Sequence, residues 1–203
     1  MSTIMVVDDE PDVVDLVGRI LGGAGHEIVG ALSGKEALEK LKTVRPDLVL
    51  LDIMMPGLSG WETLELIRKQ DDLSNTPVAM LTAKSLTPKT AARKDIDELV
   101  DYIEKPFTRD SLIKKVNYSI IEDLETISEQ KARLRRVVDE ETASTYEGIA
   151  RLERLHKSIL STFKDHVDKK GLFDEDIKEA ILSQQQAIQA LKNKREEIER
   201  RLK

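Results

Sequence analysis

Short runs of apolar residues alternate with helical patterns over roughly the first 120 residues. Residues 4–7, 48–51 and 78–81 contain no polar side chain. Such unbroken runs are typical of strands buried on both faces, as in a parallel sheet covered by helices. Residues 26–29 and 99–104 are weaker candidates, and the second mixes polar and apolar residues as an edge strand does. The pattern therefore predicts five strands.

The segments between these strands have the features of amphipathic helices. The first begins at Pro11, because proline is favoured in the first turn, and presents one apolar face: Val13, Val17, Ile20 and Leu21. Two capping boxes mark later helix starts, Ser33 with Glu36 and Ser59 with Glu62. A further helix is predicted from Thr108. Alternating strands and helices predict an α/β fold with a doubly wound five-stranded parallel sheet.

The remainder of the chain has a different periodicity. After about residue 120 proline and strand signals are absent, and apolar residues recur at spacings of three and four. A break is predicted near 139–144, and Gly171 followed by Asp174 indicates a helix end and a new N-cap. Residues 145–169 and 174–202 then form a helical hairpin or coiled-coil segment. We predict two domains, 1–120 and 121–203.

Charge and composition narrow the classes of function. The net charge is −6, and residues 109–203 carry almost equal numbers of acidic and basic side chains. A near-neutral tail lacks the basic excess that binds nucleic acid, so we expect no nucleic-acid partner. The chain has no cysteine, no apolar run of membrane-spanning length and no secretory signal pattern. We therefore expect no membrane contact and a cytoplasmic protein.

Acidic side chains follow two of the predicted strands. Asp8 and Asp9 come after the first, and Asp52 after the third. Because parallel strands place their carboxyl ends at one edge of the sheet, the three carboxylates are expected to converge there. Clustered carboxylates repel unless a cation intervenes, and oxygen ligands suit Mg²⁺, which keeps water ligands that a phosphate can replace.

Two further strand ends supply complementary groups. Lys105 follows the last strand, and its positive charge can pair with phosphoryl oxygens. Thr82 ends the fourth strand and can donate a hydrogen bond from its hydroxyl group. Nucleophilic attack by a carboxylate would give an aspartyl phosphate. Taken singly, each residue is more simply explained as a helix cap or a solvated loop residue. Four strand ends that supply the parts of one site favour the functional interpretation.

Four motifs carry a family resemblance: Val7-Asp8-Asp9-Glu10-Pro11, Leu51 to Gly60 (LDIMMPGLSG), Leu81-Thr82-Ala83, and Tyr102-Ile103-Glu104-Lys105-Pro106-Phe107. In this order and spacing they resemble the flavodoxin-like receiver domain of two-component response regulators. The resemblance covers about three fifths of the chain. One departure is Asp97-Glu98-Leu99 before the last strand, where Gly-Ala-Asp is common, and it predicts an irregular fourth helix and turn.

The resemblance implies roles for individual residues. Asp52 is implied to take a phosphoryl group from a partner histidine kinase, and Mg²⁺ to be bound by Asp9 directly, by Asp8 largely through water, and by Asp52 and the Met54 carbonyl. Lys105 and Thr82 are implied to contact the phosphoryl group.

The resemblance also implies a switch and a site of hydrolysis. Tyr102 resembles the aromatic residue that turns inward when Thr82 moves. The bond between Lys105 and Pro106 is implied to be the cis peptide of the family. Met54 and Lys84 correspond to positions beside the path of hydrolytic water. Because Met54 cannot orient water, we predict a long-lived phosphoryl state.

The tail leaves several outputs open. The leading interpretation is a module for self-association or for docking a downstream protein, based on an apolar stripe: Ile177, Ile181, Ile188, Leu191, Ile198 and Leu202. The same stripe could instead close the hairpin internally. A DNA-binding regulator is the alternative, although the tail shows no basic recognition helix.

Another alternative is phosphotransfer or catalysis by the tail through His156 or His166. Their surroundings do not resemble phosphotransfer motifs, and we interpret both as surface histidines. Phe163 and Phe173 are predicted to close the end of the hairpin. Beyond its own phosphorylation and dephosphorylation, the chain is not expected to be an enzyme.

Overall fold

A computed structural model describes residues 1–170 and 175–200, and the side chains of 169 and 170 are outside the description. Gly171, Phe173, Asp174 and Leu202, which entered the predictions for the hairpin, lie outside the described residues. Within the described part, no helix is long and apolar enough to cross a membrane.

Five parallel strands form one sheet in the order β2-β1-β3-β4-β5. The strands are β1 Thr3–Val7, β2 Glu27–Ala31, β3 Leu48–Leu51, β4 Val78–Thr82 and β5 Asp101–Glu104. Every residue of β3 and β4 is buried, as the unbroken apolar runs predicted. The predicted doubly wound fold is confirmed. The two weaker strands differ at their ends from the predicted ranges 26–29 and 99–104, since β2 begins at Glu27 and β5 only at Asp101.

Helices follow the strands as predicted. Those of the first part of the chain are α1 Pro11–Gly22, α2 Gly34–Lys40, α3 Gly60–Arg68, α4 Pro88–Ala91 and α5 Arg109–Val116. Ser59 and Glu62 form a complete capping box at α3. At α2 the box is half formed: the Ser33 hydroxyl accepts from the Glu36 amide, but the Glu36 carboxylate accepts from the Leu32 amide.

The fourth helix is irregular, as its departure from the family motif predicted. It spans only four residues and is followed by a 3₁₀ turn, Ile96–Glu98. After α5 come a π-helical segment, Asn117–Ile121, and the helices α6 Glu122–Leu134, α7 Glu140–Lys170 and α8 Glu175–Arg200. The predicted break lies slightly earlier than expected, because Asp139 accepts a hydrogen bond from the Thr142 amide over 2.7 Å and α7 begins at Glu140, not 145.

Contacts along the chain divide it into two compact units. The first contains residues 1–85 and 101–117, and holds the sheet. The second contains residues 86–100 and 118–203. The second unit thus includes α4 and the turn after it, although both lie between β4 and β5 in sequence. The predicted domain boundary at residue 120 stays a prediction.

Helices α7 and α8 form a hairpin in the second unit. Pairs across it run in opposite directions along the two helices: Tyr146 with Glu199, Glu153 with Arg195, and His156 with Gln184. Phe163, Leu155 and Ile159 on α7 are almost fully buried, as are Ile177 and Ile188 on α8. The apolar stripe of α8 therefore contributes to the core of the hairpin, as the internal alternative proposed.

Candidate functional site

Four strand ends bring the predicted side chains to one edge of the sheet. Residues Val7 and Leu51 are register partners of β1 and β3, and Leu51 pairs with Met80 of β4. Asp8 and Asp52 therefore leave neighbouring strands at the same level. Thr82 pairs with Glu104 at the end of β5, directly before Lys105.

Lys105 joins the two buried carboxylates. Its ammonium nitrogen lies 2.5 Å from Asp8 Oδ2 and 3.3 Å from Asp52 Oδ1. Asp8 is 2% and Asp52 4% exposed. Two buried acids thus share one lysine, and the three groups together carry a net negative charge when both acids are ionised. Buried charges of this kind need further compensation, which a cation or a change of protonation supplies.

Burial and pairing shift the pKa values of two of these groups. Burial raises the pKa of Asp8 above its ordinary value, although hydrogen bonds from Lys105 and the Glu10 amide oppose the rise. Burial disfavours the charged form of Lys105, but hydrogen bonding and attraction to Asp8 and to Asp52 outweigh it and raise the pKa of Lys105. The lysine is therefore a fixed positive charge at neutral pH.

The backbone around Asp52 shapes the site. The Met54 amide donates to Asp52 Oδ2 over 2.6 Å, which orients the carboxylate. Gly60 passes directly beneath: a Cβ at this position would lie 2.2 Å from the Asp52 carbonyl oxygen. Gly57 has a φ of 78°, in the left-handed region that favours glycine. The motif from Leu51 to Gly60 thus holds the acid-bearing turn against the start of α3, a role that the sequence analysis did not assign to these glycines.

The predicted carboxylate cluster is assembled only in part. Asp8 and Asp52 meet through Lys105, whereas Asp9 is partly exposed and has no contact with this lysine among the described ion pairs. Among the described residues no group of three or more acidic, histidine or cysteine side chains is arranged to hold a metal ion. The donor chemistry nevertheless fits Mg²⁺, since the site offers carboxylate oxygens with an excess of negative charge, and Met54 beside them is 58% exposed.

Thr82 and Tyr102 meet at one residue of the loop after β4. Thr82 is fully buried, and its hydroxyl oxygen accepts from the Lys84 amide over 3.2 Å. The Tyr102 hydroxyl donates to the Lys84 carbonyl over 2.6 Å, and the side chain is only 3% exposed. Tyr102 therefore points inward in this structure. Lys105-Pro106 is a cis peptide, as the resemblance implied.

The histidines of the tail are not surface residues, and that prediction is wrong. His166 is 8% exposed, and the side chain of His156 13%. His156 Nδ1 lies 2.6 Å from Gln184 Oε1 on α8. The spacing of His156, Ile159, Phe163 and His166 places all four on one helix face, which is largely buried. This spacing was the signal in the sequence, and the burial disfavours both histidines as phosphotransfer nucleophiles.

Comparisons with known proteins agree with this geometry. The family model described as "Response regulator receiver domain" matches residues 4–117. The "Uncharacterized transcriptional regulatory protein YrkP" of Bacillus subtilis is 45% identical over 114 residues, which is 56% of this chain and 47% of that protein. The chain spans about half the length of the curated relatives it matches.

Solved structures match the same region. The N-terminal domain of a response regulator receiver protein from Methanoculleus marisnigri is 45% identical, with a TM-score of 0.50 over 58% of this chain and 98% of that one. Response regulator TrrA from Thermotoga maritima, solved in complex with Mg²⁺ and BeF, is 39% identical, with a TM-score of 0.51 over 57% of this chain and 96% of that one. Both are similar to the sheet-bearing part of this chain.

Proposed function

Since this chain belongs to the response regulator receiver family, we propose that Asp52 accepts a phosphoryl group from a partner histidine kinase. The chain is a response regulator of a two-component system, and the chemistry that a receiver implies is phosphoryl transfer onto itself. The specific residues proposed for this chemistry are Asp52, Lys105 and Thr82.

In the proposed reaction an Asp52 oxygen attacks the phosphorus of a phosphohistidine. A bond forms between the carboxylate oxygen and phosphorus, and the bond between phosphorus and the imidazole nitrogen breaks, so that the electron pair returns to the histidine. Lys105 remains protonated and neutralises charge on the phosphoryl oxygens, and the Thr82 hydroxyl donates to one of them. Receiver domains bind Mg²⁺, and here Asp8, Asp9, Asp52 and the Met54 carbonyl would hold an ion that neutralises the incoming phosphoryl group.

The observation that carries the proposal is the shared lysine. A protonated Lys105 contacts two largely buried aspartates, and burial strengthens the electrostatic attraction between these groups. The Met54 amide donates a hydrogen bond to Asp52 Oδ2. The lone pairs of the carboxylate that this bond does not use are available for nucleophilic attack. These contacts hold the Lys105 ammonium group in place before the reaction, where it can stabilise the negative charge of the phosphoryl oxygens.

Labelling with a small phosphodonor tests this proposal. The wild-type protein incubated with acetyl phosphate and Mg²⁺ is expected to gain the mass of one phosphoryl group, and Asp52→Asn is expected to gain none. Asp110→Asn, whose side chain is 94% exposed on α5, is the matched control and should label like wild type. Equal labelling of wild type and Asp52→Asn would remove Asp52 as the acceptor.

For output, we favour protein interaction through the C-terminal helices, by self-association or by docking of a downstream protein, over DNA binding. Relatives include transcriptional regulators, so DNA binding remains the competing output. Residues 109–203 are near charge balance, which supports the protein-interaction output.

Scattering coupled to size-exclusion chromatography, with and without Mg²⁺ and beryllofluoride, distinguishes these outputs. Phosphorylation-dependent pairing predicts a doubling of mass on addition of beryllofluoride. An unchanged mass supports docking of a separate partner or constitutive pairing. Tight binding to a mixed-sequence duplex at physiological salt would favour the DNA-binding output instead.

A further inference from the structure

The methionines of this chain differ sharply in their access to solvent. The chain has five methionines and no cysteine, so thioethers are its only sulfur groups. Met5 and Met80 are 0% exposed and Met55 is 7% exposed, whereas Met54 is 58% exposed. Met1, the first residue, is fully exposed. A dissolved oxidant can therefore reach the sulfur of Met54 and of Met1, while the fold shields the other three.

The exposed thioether of Met54 is attached directly beside the proposed phosphoryl acceptor. The Met54 amide donates to Asp52 Oδ2 over 2.6 Å. The sulfur is three bonds from the Cα that follows this nitrogen, so it stays within one side-chain length of the carboxylate. Asp52 itself is only 4% exposed. Met54 thus places a solvent-exposed sulfur next to a buried reactive group.

Oxidation at sulfur would change the side chain of Met54 and leave its backbone as it is. The amide that holds Asp52 and the carbonyl proposed as a Mg²⁺ ligand are not altered. A thioether is a weak hydrogen-bond acceptor, whereas a sulfoxide is polar and its oxygen accepts hydrogen bonds readily. Because Met54 is exposed, the new polar group enters water and does not disturb the apolar core. The modification therefore adds an acceptor beside Asp52 without removing a contact that orients it.

We propose that Met54 is a redox modification site, at which hydrogen peroxide forms a sulfoxide that shortens the lifetime of the phosphoryl group on Asp52. The proposal rests on the proposed function, because it takes Asp52 as the acceptor. In the oxidation a sulfur lone pair attacks one peroxide oxygen, and the bond between the two oxygens breaks. The departing hydroxide takes the proton of the transferred oxygen and leaves as water. Sulfur loses two electrons, and the peroxide gains them.

The sulfoxide acts on the hydrolysis of the acyl phosphate. A water oxygen bonds to phosphorus, the bond between phosphorus and the Asp52 oxygen breaks, and its electron pair returns to the carboxylate. The proton that the water loses passes to the departing phosphate. The sulfoxide oxygen accepts a hydrogen bond from this water and holds it near the phosphorus, which lowers the entropic cost of the attack. Methionine sulfoxide reductases reverse the oxidation, so the site can switch in both directions.

The phosphoryl half-life before and after peroxide treatment tests the proposal. Wild-type protein is treated with hydrogen peroxide, desalted, labelled with radioactive acetyl phosphate and Mg²⁺, and followed by loss of label. Peptide mass spectrometry is expected to find an added oxygen on Met54 and none on Met5, Met55 or Met80. The half-life should fall by about fivefold, less than a positioned acid or base contributes. Treatment with both sulfoxide reductases, one for each epimer, should restore it.

Three variants locate the effect, and each is compared with its own untreated form. Met54→Leu keeps Met1 and the buried methionines, and peroxide should leave its half-life unchanged. Met55→Leu, a volume-conserving change at the neighbouring buried methionine, is the matched control and should keep the full response to peroxide. Met54→Gln carries an amide oxygen on a side chain of similar length, so its half-life should be short without peroxide.

The outcomes separate the two proposals. A wild-type protein that gains no phosphoryl group contradicts the proposed function. If wild type is labelled but its half-life is unchanged or longer once Met54 is oxidised, the redox site is overturned and the proposed function stands. A response to peroxide in Met54→Leu as large as that of wild type has the same consequence, because the effect then arises at another residue. Oxidation of Met54 no faster than that of Met55 also overturns the redox site.

Discussion

Lys105 lies closer to Asp8 than to Asp52, at 2.5 Å against 3.3 Å. The lysine is therefore anchored mainly by a neighbouring acid, and the proposed acceptor keeps the weaker of the two contacts. This asymmetry leaves Asp52 the less tightly paired of the two acids, and burial raises the pKa of Asp8.

Asp8→Asn is expected to stabilise the metal-free protein at neutral pH. Because the folded pKa of Asp8 is raised, the stability associated with its protonated form is present at low pH and is lost as pH rises from the unfolded value of 3.8 through the folded pKa. The substitution removes that penalty and leaves Lys105 paired with Asp52, so the free energy of unfolding should rise by about 1 kcal/mol. Urea denaturation without metal measures it.

The same variant should lose the response to Mg²⁺. Wild type is expected to gain stability with increasing Mg²⁺, and Asp8→Asn to gain much less, because one proposed ligand is neutral. Asp110→Asn, on the exposed surface of α5, serves as control and should respond like wild type. A destabilised Asp8→Asn with an intact Mg²⁺ response contradicts both the electrostatic argument and the ligand assignment.

Tyr102→Phe should remove one buried hydrogen bond and lower the free energy of unfolding by about 1 kcal/mol. Burial, followed by the negative charges of Glu104 and Asp52, raises the pKa of the Tyr102 phenol well above its ordinary value of 10.0. The stability contributed by the neutral phenol is therefore present below pH 10 and declines only as pH rises above it. The difference in ultraviolet absorbance between wild type and Tyr102→Phe should show no phenolate signal around pH 10. A phenolate signal there would mean that Tyr102 is exposed.

Much of the fold was predictable because buried parallel strands leave an unmistakable pattern. The unbroken runs at 48–51 and 78–81 became β3 and β4 with little change. Residues 99–104 gave a poorer boundary, since Leu99 and Val100 are buried as an apolar run suggests but belong to the second unit. Burial alone does not tell a sequence reader which core a residue enters.

The site residues were predictable because each directly follows a strand, so topology alone brings Asp8, Asp52 and Lys105 together. The assignment of α4 to the second unit could not be predicted from the sequence. Its contacts come from residues at least 50 positions further along the chain: Arg154 of α7 donates to the Val100 carbonyl, and α8 lines a groove with α4. The charged surroundings of His156 also favoured an exposed interpretation, although its spacing to Phe163 indicated the buried face. Pairings between distant helices have no local signature.

The phosphoryl group on Asp52 is expected to be long-lived. Met54 is 58% exposed beside Asp52, and its thioether cannot orient an attacking water. Met54→Asn supplies a polar group there and should shorten the half-life by about tenfold, less than a positioned acid or base usually contributes. Met54→Leu should decay like wild type. Loss of radiolabel from the purified phosphoprotein measures the rate, and a wild-type half-life of seconds would contradict the prediction.

An ion pair between a buried Glu153 and a partly exposed Arg195 links the two helices of the hairpin, and its loss should destabilise them. Glu153 on α7 is 1% exposed and lies 2.9 Å from the Arg195 guanidinium of α8, with Lys157 2.6 Å from its other oxygen. Arg195→Ala leaves the carboxylate buried with one partner, and the free energy of unfolding should fall by about 2 to 3 kcal/mol.

The double variant Glu153→Leu/Arg195→Leu separates charge from packing. Because two apolar side chains replace the pair and Lys157 can turn to solvent, the double variant should regain most of the stability that Arg195→Ala loses. Arg200→Ala, on the same helix with 78% exposure, should change stability by less than about 0.5 kcal/mol. Urea denaturation followed by helical circular dichroism compares the variants. If Arg195→Ala proves no more damaging than Arg200→Ala, the pair does not stabilise the hairpin, and the apolar face of α8 alone holds it closed.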